Sequence, residues 1–251
     1  MITTHMHVRV QGTVAPDPFL SAATLLETEY ELTTPVTVQI RENPDERTWV
    51  AHYENRHVLN ISRQAATSVM ARELALHEFA HMARYEQHHA SHTQSTEEAL
   101  FLALAGKSVE RRKLSHCYQI ANHMKDIYAD DITLELAPAT ELIDFFAAKL
   151  ATALADRPAE DGRPNCRLET HGSDPEITAV NAAFALGLVE RHSLVDSSHR
   201  LYDLAHAAAA DAPTVDLSAF KQRFRSLGSD PTESEYRKTL VDVTRAYAAA
   251  D

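Results

Sequence analysis

Hydrophobic and polar positions change their period as the chain is read. Over Val36-Thr37-Val38-Gln39-Ile40 they alternate, with β-branched residues at every other position, which predicts a strand. A turn-forming stretch, Glu42-Asn43-Pro44-Asp45-Glu46, leads to a second predicted strand over 48–53. A third, His57-Val58-Leu59-Asn60-Ile61-Ser62, follows closely. Upstream, a Pro-Asp-Pro turn precedes a predicted helix from Ser21 to Glu29. Beyond residue 62 the period becomes helical. Ser62 or Thr67 is placed to cap a helix running through His81 to about Tyr85. The next helix starts at Ser95 or Thr96 and stops at Gly106. Others are predicted at about 109–130 and 140–154, the latter with Leu142, Ile143, Phe145, Phe146 and Leu150 at helical spacing. Residues 155–174 concentrate Pro, Gly and charge and read as a linker. Helices near 175–190, 194–210, 215–227 and 232–249 complete the chain. A few strands followed by many helices make an α+β, predominantly helical protein. The expected division is a domain over 1–155 and a C-terminal helical bundle over 174–251 packed on it.

Charge and composition narrow the partners. The chain has 251 residues and a formal net charge of −12, which argues against nucleic acid, because phosphate binding needs clustered Lys and Arg. No apolar run reaches the ~18 residues of a membrane span. The start, Met1-Ile2-Thr3-Thr4-His5-Met6-His7, lacks the basic head and apolar core of a secretory signal. Two cysteines, Cys117 and Cys166, imply no disulfide framework. The expected setting is the cytoplasm, with a peptide or protein as partner, no nucleic acid and no membrane.

The chemistry is concentrated in His77-Glu78-Phe79-Ala80-His81, inside a run from Ala71 to Tyr85 that contains no Pro or Gly. Two histidines four residues apart lie on one helical face about a turn apart, so both imidazoles can reach one zinc ion. Glu78 points to the same side. With 15 His in the chain, an H-E-x-x-H could arise by chance. However, the flanking Leu74, Ala75, Leu76, Phe79, Ala80, Met82 and Ala83 are all uncharged, and burying two His and a Glu among them is costly unless something satisfies them. The alternative is a pair of satisfied core histidines.

This segment resembles the site helix of the zincin metallopeptidases. The resemblance implies that His77 and His81 are zinc ligands and that Glu78 is the general base activating a water on the metal. It also implies a small N-terminal sheet beside the motif helix, whose edge strand holds an extended substrate. Residues 57–62 are the candidate for that edge.

A catalytic zinc needs a third protein ligand and one open position. Asn122, Asp126 and Asp130 recur at i, i+4 and i+8 along a predicted helix, an arrangement that resembles uncharacterised prokaryotic metallopeptidase-like families. On that resemblance Asp126 binds zinc, Asp130 orients a ligand histidine, and Asn122 supports the site or faces substrate. Glu97 and Glu98 are the alternative third ligands, although Glu in a first helical turn also simply complements the helix dipole. His92, His116 and His123 are further candidates. His88, His89 and His92, clustered just after the motif, read as exposed loop histidines. Tyr128, Tyr118 and His116 are candidate donors to a developing oxyanion. The leading expectation is therefore a zinc-dependent metallopeptidase. The alternatives are a non-catalytic zincin-like interaction module and a zinc amidohydrolase of a small molecule.

Overall fold

A computed structural model describes residues 6–44, 46–156 and 174–249. The protein is α+β and mostly helical, with four strands and eleven helices among the described residues. None of these helices is long and apolar enough to cross a membrane. The chain forms two compact units. One comprises the residues up to Gln94 together with Lys125–Glu141, and the other comprises Ser95–Met124 together with the residues from Leu142 onward.

The first unit contains one four-stranded sheet. Strands β1 (Val8–Gln11), β2 (Val36–Arg41), β3 (Trp49–Tyr53) and β4 (Arg56–Ser62) lie in the order β1-β2-β4-β3. β1, β2 and β4 run parallel, and β3 returns antiparallel to β4 through a tight turn. Residues 57–62 are therefore not the edge strand expected from the sequence. The hairpin places β4 between β2 and β3, and every residue from His57 to Ser62 is buried. A strand covered on both faces loses the polar-out alternation of a half-exposed one. β3 is the edge next to it. β1, too short to stand out in the sequence, is the other edge.

Helix α1 (Asp17–Leu26) crosses between β1 and β2, starting four residues earlier than its apolar pattern suggested because Pro18 takes a first-turn position. Ser62 caps only the single-turn α2 (Arg63–Ala66). The motif helix is separate: α3, Ala71–Glu86. Phe19, Ala22 and Leu26 of α1 join Leu76, Phe79, Ala80 and Ala83 of α3 and Val36, Val38, Leu59 and Ile61 of the sheet in one core.

After the short α4 (Ala90–Thr93), the second unit is helical. It contains α5 (Thr96–Leu104), α7 (Thr140–Ala155) from Leu142 on, α8 (Pro175–Arg191), α9 (Arg200–Asp211), α10 (Leu217–Arg225) and α11 (Glu233–Ala248). The long α6 (Arg111–Leu136) contributes its front to this unit and its last turns, from Lys125, to the first. α8 is the most enclosed helix, buried at nearly every position from Thr178 to Val189, and it packs against α9 and α10. Gly187 permits that packing, since a Cβ there would meet the Phe224 Cβ at 2.8 Å.

The expected division into 1–155 and 174–251 differs from this grouping. α5, the front of α6 and most of α7 belong with the C-terminal helices, because α5 buries Ala99, Leu100 and Ala103 and packs against α11. Most of the expected linker, residues 157–173 including Cys166, lies outside the described residues.

Candidate metal centre

α3 turns Ala75, Leu76, Phe79, Ala80 and Ala83 into the core. At 3.6 residues per turn this leaves His77 and His81 stacked on the opposite face. The last turns of α6 supply the facing groups. Ala129 and Ile132 enter the same core, which sets the rotation of α6 and brings Asp126 and Asp130 to the imidazoles.

Three potential ligand atoms converge. The two Nε2 atoms are 3.0 Å apart, and Asp126 Oδ1 lies 3.4 Å from His81 Nε2 and 3.8 Å from His77 Nε2. Tetrahedral zinc with bonds of about 2.0–2.1 Å has ligand–ligand edges of about 3.3 Å, a value these separations bracket. Two imidazoles and a carboxylate are also a donor set that zinc accepts. Behind His77, the buried Asp130 places Oδ1 2.7 Å from Nδ1. Thr133 Oγ1 in turn donates to Asp130 at 3.3 Å.

The field around the histidines favours a cation. Burial opposes a charged His77, but Asp130, followed by Asp126 and Glu78, outweighs it and holds the imidazole pKa up to about 10. Burial pushes the Glu78 carboxyl up, with the charges of His81 and His77 working against it and Asp126 with it. Glu78 is thus a buried carboxylate beside the converging atoms, with raised proton affinity.

His81 has a different neighbour. His92 Nε2 lies 2.7 Å from His81 Nδ1. Burial, then the charge of His81, keeps the His92 pKa well below the ordinary histidine value. The expectation of exposed loop histidines holds only for His88. At φ 53° His88 ends α3 and turns the chain inward, so that His89 is buried as the cap of α4 and His92 is half-buried. The period of the sequence carried no sign of this, because a left-handed residue other than glycine is rare and short helices leave no pattern.

A second cluster, also unmarked in the sequence, reaches the edge strand. His52 of β3 stacks on Tyr85 with ring centroids 3.8 Å apart and lies Nδ1 to Nδ1 against His57 at 3.0 Å. His57 Nε2 meets Glu86 Oε1 at 3.0 Å. Burial and the charges of His57, His81 and Lys125 lower the His52 pKa to about 4.

The remaining sequence candidates lie elsewhere. Asn122 is exposed one turn before Asp126 on α6. Glu97 and Glu98 are exposed in the first turn of α5, where the Glu98 N–H donates to the Ser95 cap, so they serve the helix start rather than the histidine pair. His123 stacks on Phe184 and pairs with Asn181 Oδ1 at 2.8 Å. Of the candidate oxyanion donors, Tyr128 is buried with its ring against His89, Tyr118 is partly exposed, and His116 is bound to the Tyr247 hydroxyl at 2.5 Å.

His116, Asp174 and Glu176 form a second grouping of possible ligands among the described residues. Its positive charge is already supplied, because Arg112 meets Asp174 at 2.5 Å and Glu176 at 3.0 Å.

No curated protein sequence matches the chain, and no solved structure matches it either. A family model does match, over residues 6–249. The chain therefore belongs to that family, described as a family of unknown function, DUF5781.

Proposed function

We propose that the protein is a zinc-dependent hydrolase, specifically a metallopeptidase with a zincin-like core. The observation that carries this reading is the convergence of His77 Nε2, His81 Nε2 and Asp126 Oδ1 at near-tetrahedral spacing, with Asp130 behind His77. In this reading His77, His81 and Asp126 hold the ion, and Asp130 keeps the His77 ring turned with Nε2 forward, a role that hydrogen-bonded carboxylates commonly play behind ligand histidines.

When bound, zinc supplies a Lewis acid and lowers the pKa of water toward about 7. Glu78 accepts a proton from the attacking water and returns it to the leaving amine. Its raised carboxyl suits both steps, since a general base works best when its proton affinity approaches the working pH. A buried Glu of raised proton affinity beside the ligands favours catalysis over a purely structural ion, which would take four protein ligands and need no base. β3, at the sheet edge and carrying His52, offers main-chain groups to an extended peptide, a mode that favours peptides over small amides.

The test is Glu78→Gln in zinc-loaded protein with an unfolded polypeptide as substrate. The variant should retain zinc and lose about 10²- to 10⁴-fold in cleavage rate. Unchanged cleavage would rule the peptidase reading out.

A further inference from the structure

We infer that Ser91, His92 and His89 form a hydrogen-bonded relay that fixes the tautomer of His81, making His92 a positioning residue for the metal centre. The inference deepens the zinc reading and rests on it for its consequence, although the relay itself requires no metal.

A backbone N–H can only donate, and that of Ser91 points at His89 Nδ1 at 3.2 Å, so His89 Nδ1 carries a lone pair. Ser91 Oγ lies 2.7 Å from the same nitrogen, and its hydroxyl must therefore donate there. With its proton committed, Oγ is an acceptor for the other contact, at 2.7 Å from His92 Nδ1. His92 consequently carries its proton on Nδ1. A neutral imidazole carries a single proton, and with it on Nδ1 His92 presents a bare Nε2 to His81 Nδ1 at 2.7 Å. That contact is a hydrogen bond only if His81 Nδ1 is protonated, which leaves His81 Nε2 bare and facing His77 Nε2 and Asp126.

The two histidines of the pair are therefore oriented by different means. His77 donates to the Asp130 carboxylate, and His81 donates to a neutral imidazole anchored through Ser91, which is fully buried. Imidazole binds a metal only through an unprotonated nitrogen, and the hydrogen bond at the other nitrogen selects which one that is. Without His92, the His81 ring is free to take the Nε2–H form, which cannot bind.

The experiment is nitrogen-15 NMR of the histidines in metal-free protein, paired with zinc affinity by chelator competition. Wild-type His81 should be the Nδ1–H tautomer before any metal is added. His92→Phe should convert His81 to the Nε2–H form or a mixture and weaken zinc binding about 10- to 100-fold. His92→Gln, whose side-chain carbonyl can accept the same hydrogen bond, should restore both. Should His92→Phe fail to fold, Ser91→Ala, nearly isosteric, should release the His92 tautomer and weaken zinc in the same direction. Unchanged His81 tautomer and unchanged affinity in these variants would overturn the relay. A wild-type protein that holds the tautomer yet binds no zinc would overturn the zinc reading and leave the relay standing.

Discussion

At the scale of single residues, the centre is explained by where ring nitrogens and carboxylate oxygens point. His77 and His81 project from one face of α3, and Asp126 and Asp130 answer from α6 with different tasks. Asp126 Oδ1 faces both Nε2 atoms, whereas Asp130 Oδ1 sits behind His77 at Nδ1. Distinct roles give distinct losses. Asp126→Ala should abolish stoichiometric zinc, and Asp130→Asn should weaken it about 10- to 100-fold without abolishing it. Glu98→Ala should leave it intact, since Glu98 sits at a helix start. Equilibrium titration against a chelator separates the three, and zinc loss in Glu98→Ala with none in Asp126→Ala would transfer the ligand role. Much of this was legible in the sequence. The i, i+4 spacing placed both histidines on one face, and the four-residue step from Asp126 to Asp130 marked a second face. His92 was not legible, because its place depends on a left-handed turn at His88 and a one-turn helix, neither of which has a hydrophobic period.

At the scale of elements, most helices follow their apolar patterns, whereas the connections leave little trace in the sequence. α5, α7, α8, α10 and α11 fall close to their apolar patterns and caps; Thr232 and Glu235 even close a reciprocal capping box at the start of α11. Sheet order was not readable from local pattern, since the strand order depends on which strand the hairpin inserts. β4 therefore sits inside the sheet, and β3 is the edge. Two substitutions test the account of the joints. His88→Gly relieves a left-handed residue at φ 53° and should stabilise the protein by about 0.5–1 kcal/mol. Gly187→Ala drives a methyl against the Phe224 Cβ, only 2.8 Å away, and should cost about 1–3 kcal/mol. Urea unfolding reads both, and a stable Gly187→Ala would show that α8 and α10 have room to separate.

At the scale of the whole molecule, the sequence suggested a cut in the Pro- and Gly-rich stretch after residue 155. The chain instead interleaves two units, with residues 125–141 returning to the first. Composition cannot reveal such a return, because it is decided by which apolar faces meet. The interleaving places Asp126 in the same unit as the motif it faces. Stability should also depend on pH through this unit. Burial alone would raise the Glu86 pKa, but the N–H groups of Thr33 and Thr34 outweigh that and lower it to about 2, from 4.5 for a free carboxyl. A depressed carboxyl contributes fully above pH 4.5 and loses its contribution as the pH falls through about 2. Glu86→Gln should therefore cost on the order of 2 kcal/mol at neutral pH, after screening by solvent. Its deficit against wild type should shrink toward zero under acid, and a deficit constant with pH would refute that role.

The central claim is that His77, His81 and Asp126 hold one zinc ion. Its most direct test is the zinc content of the purified protein after equilibration with limiting zinc and removal of free metal. The account predicts one ion per chain in the wild type and in Glu78→Gln, and none in His77→Ala or His81→Ala. A wild type without bound zinc, or a His77→Ala variant that retains it, would contradict the account.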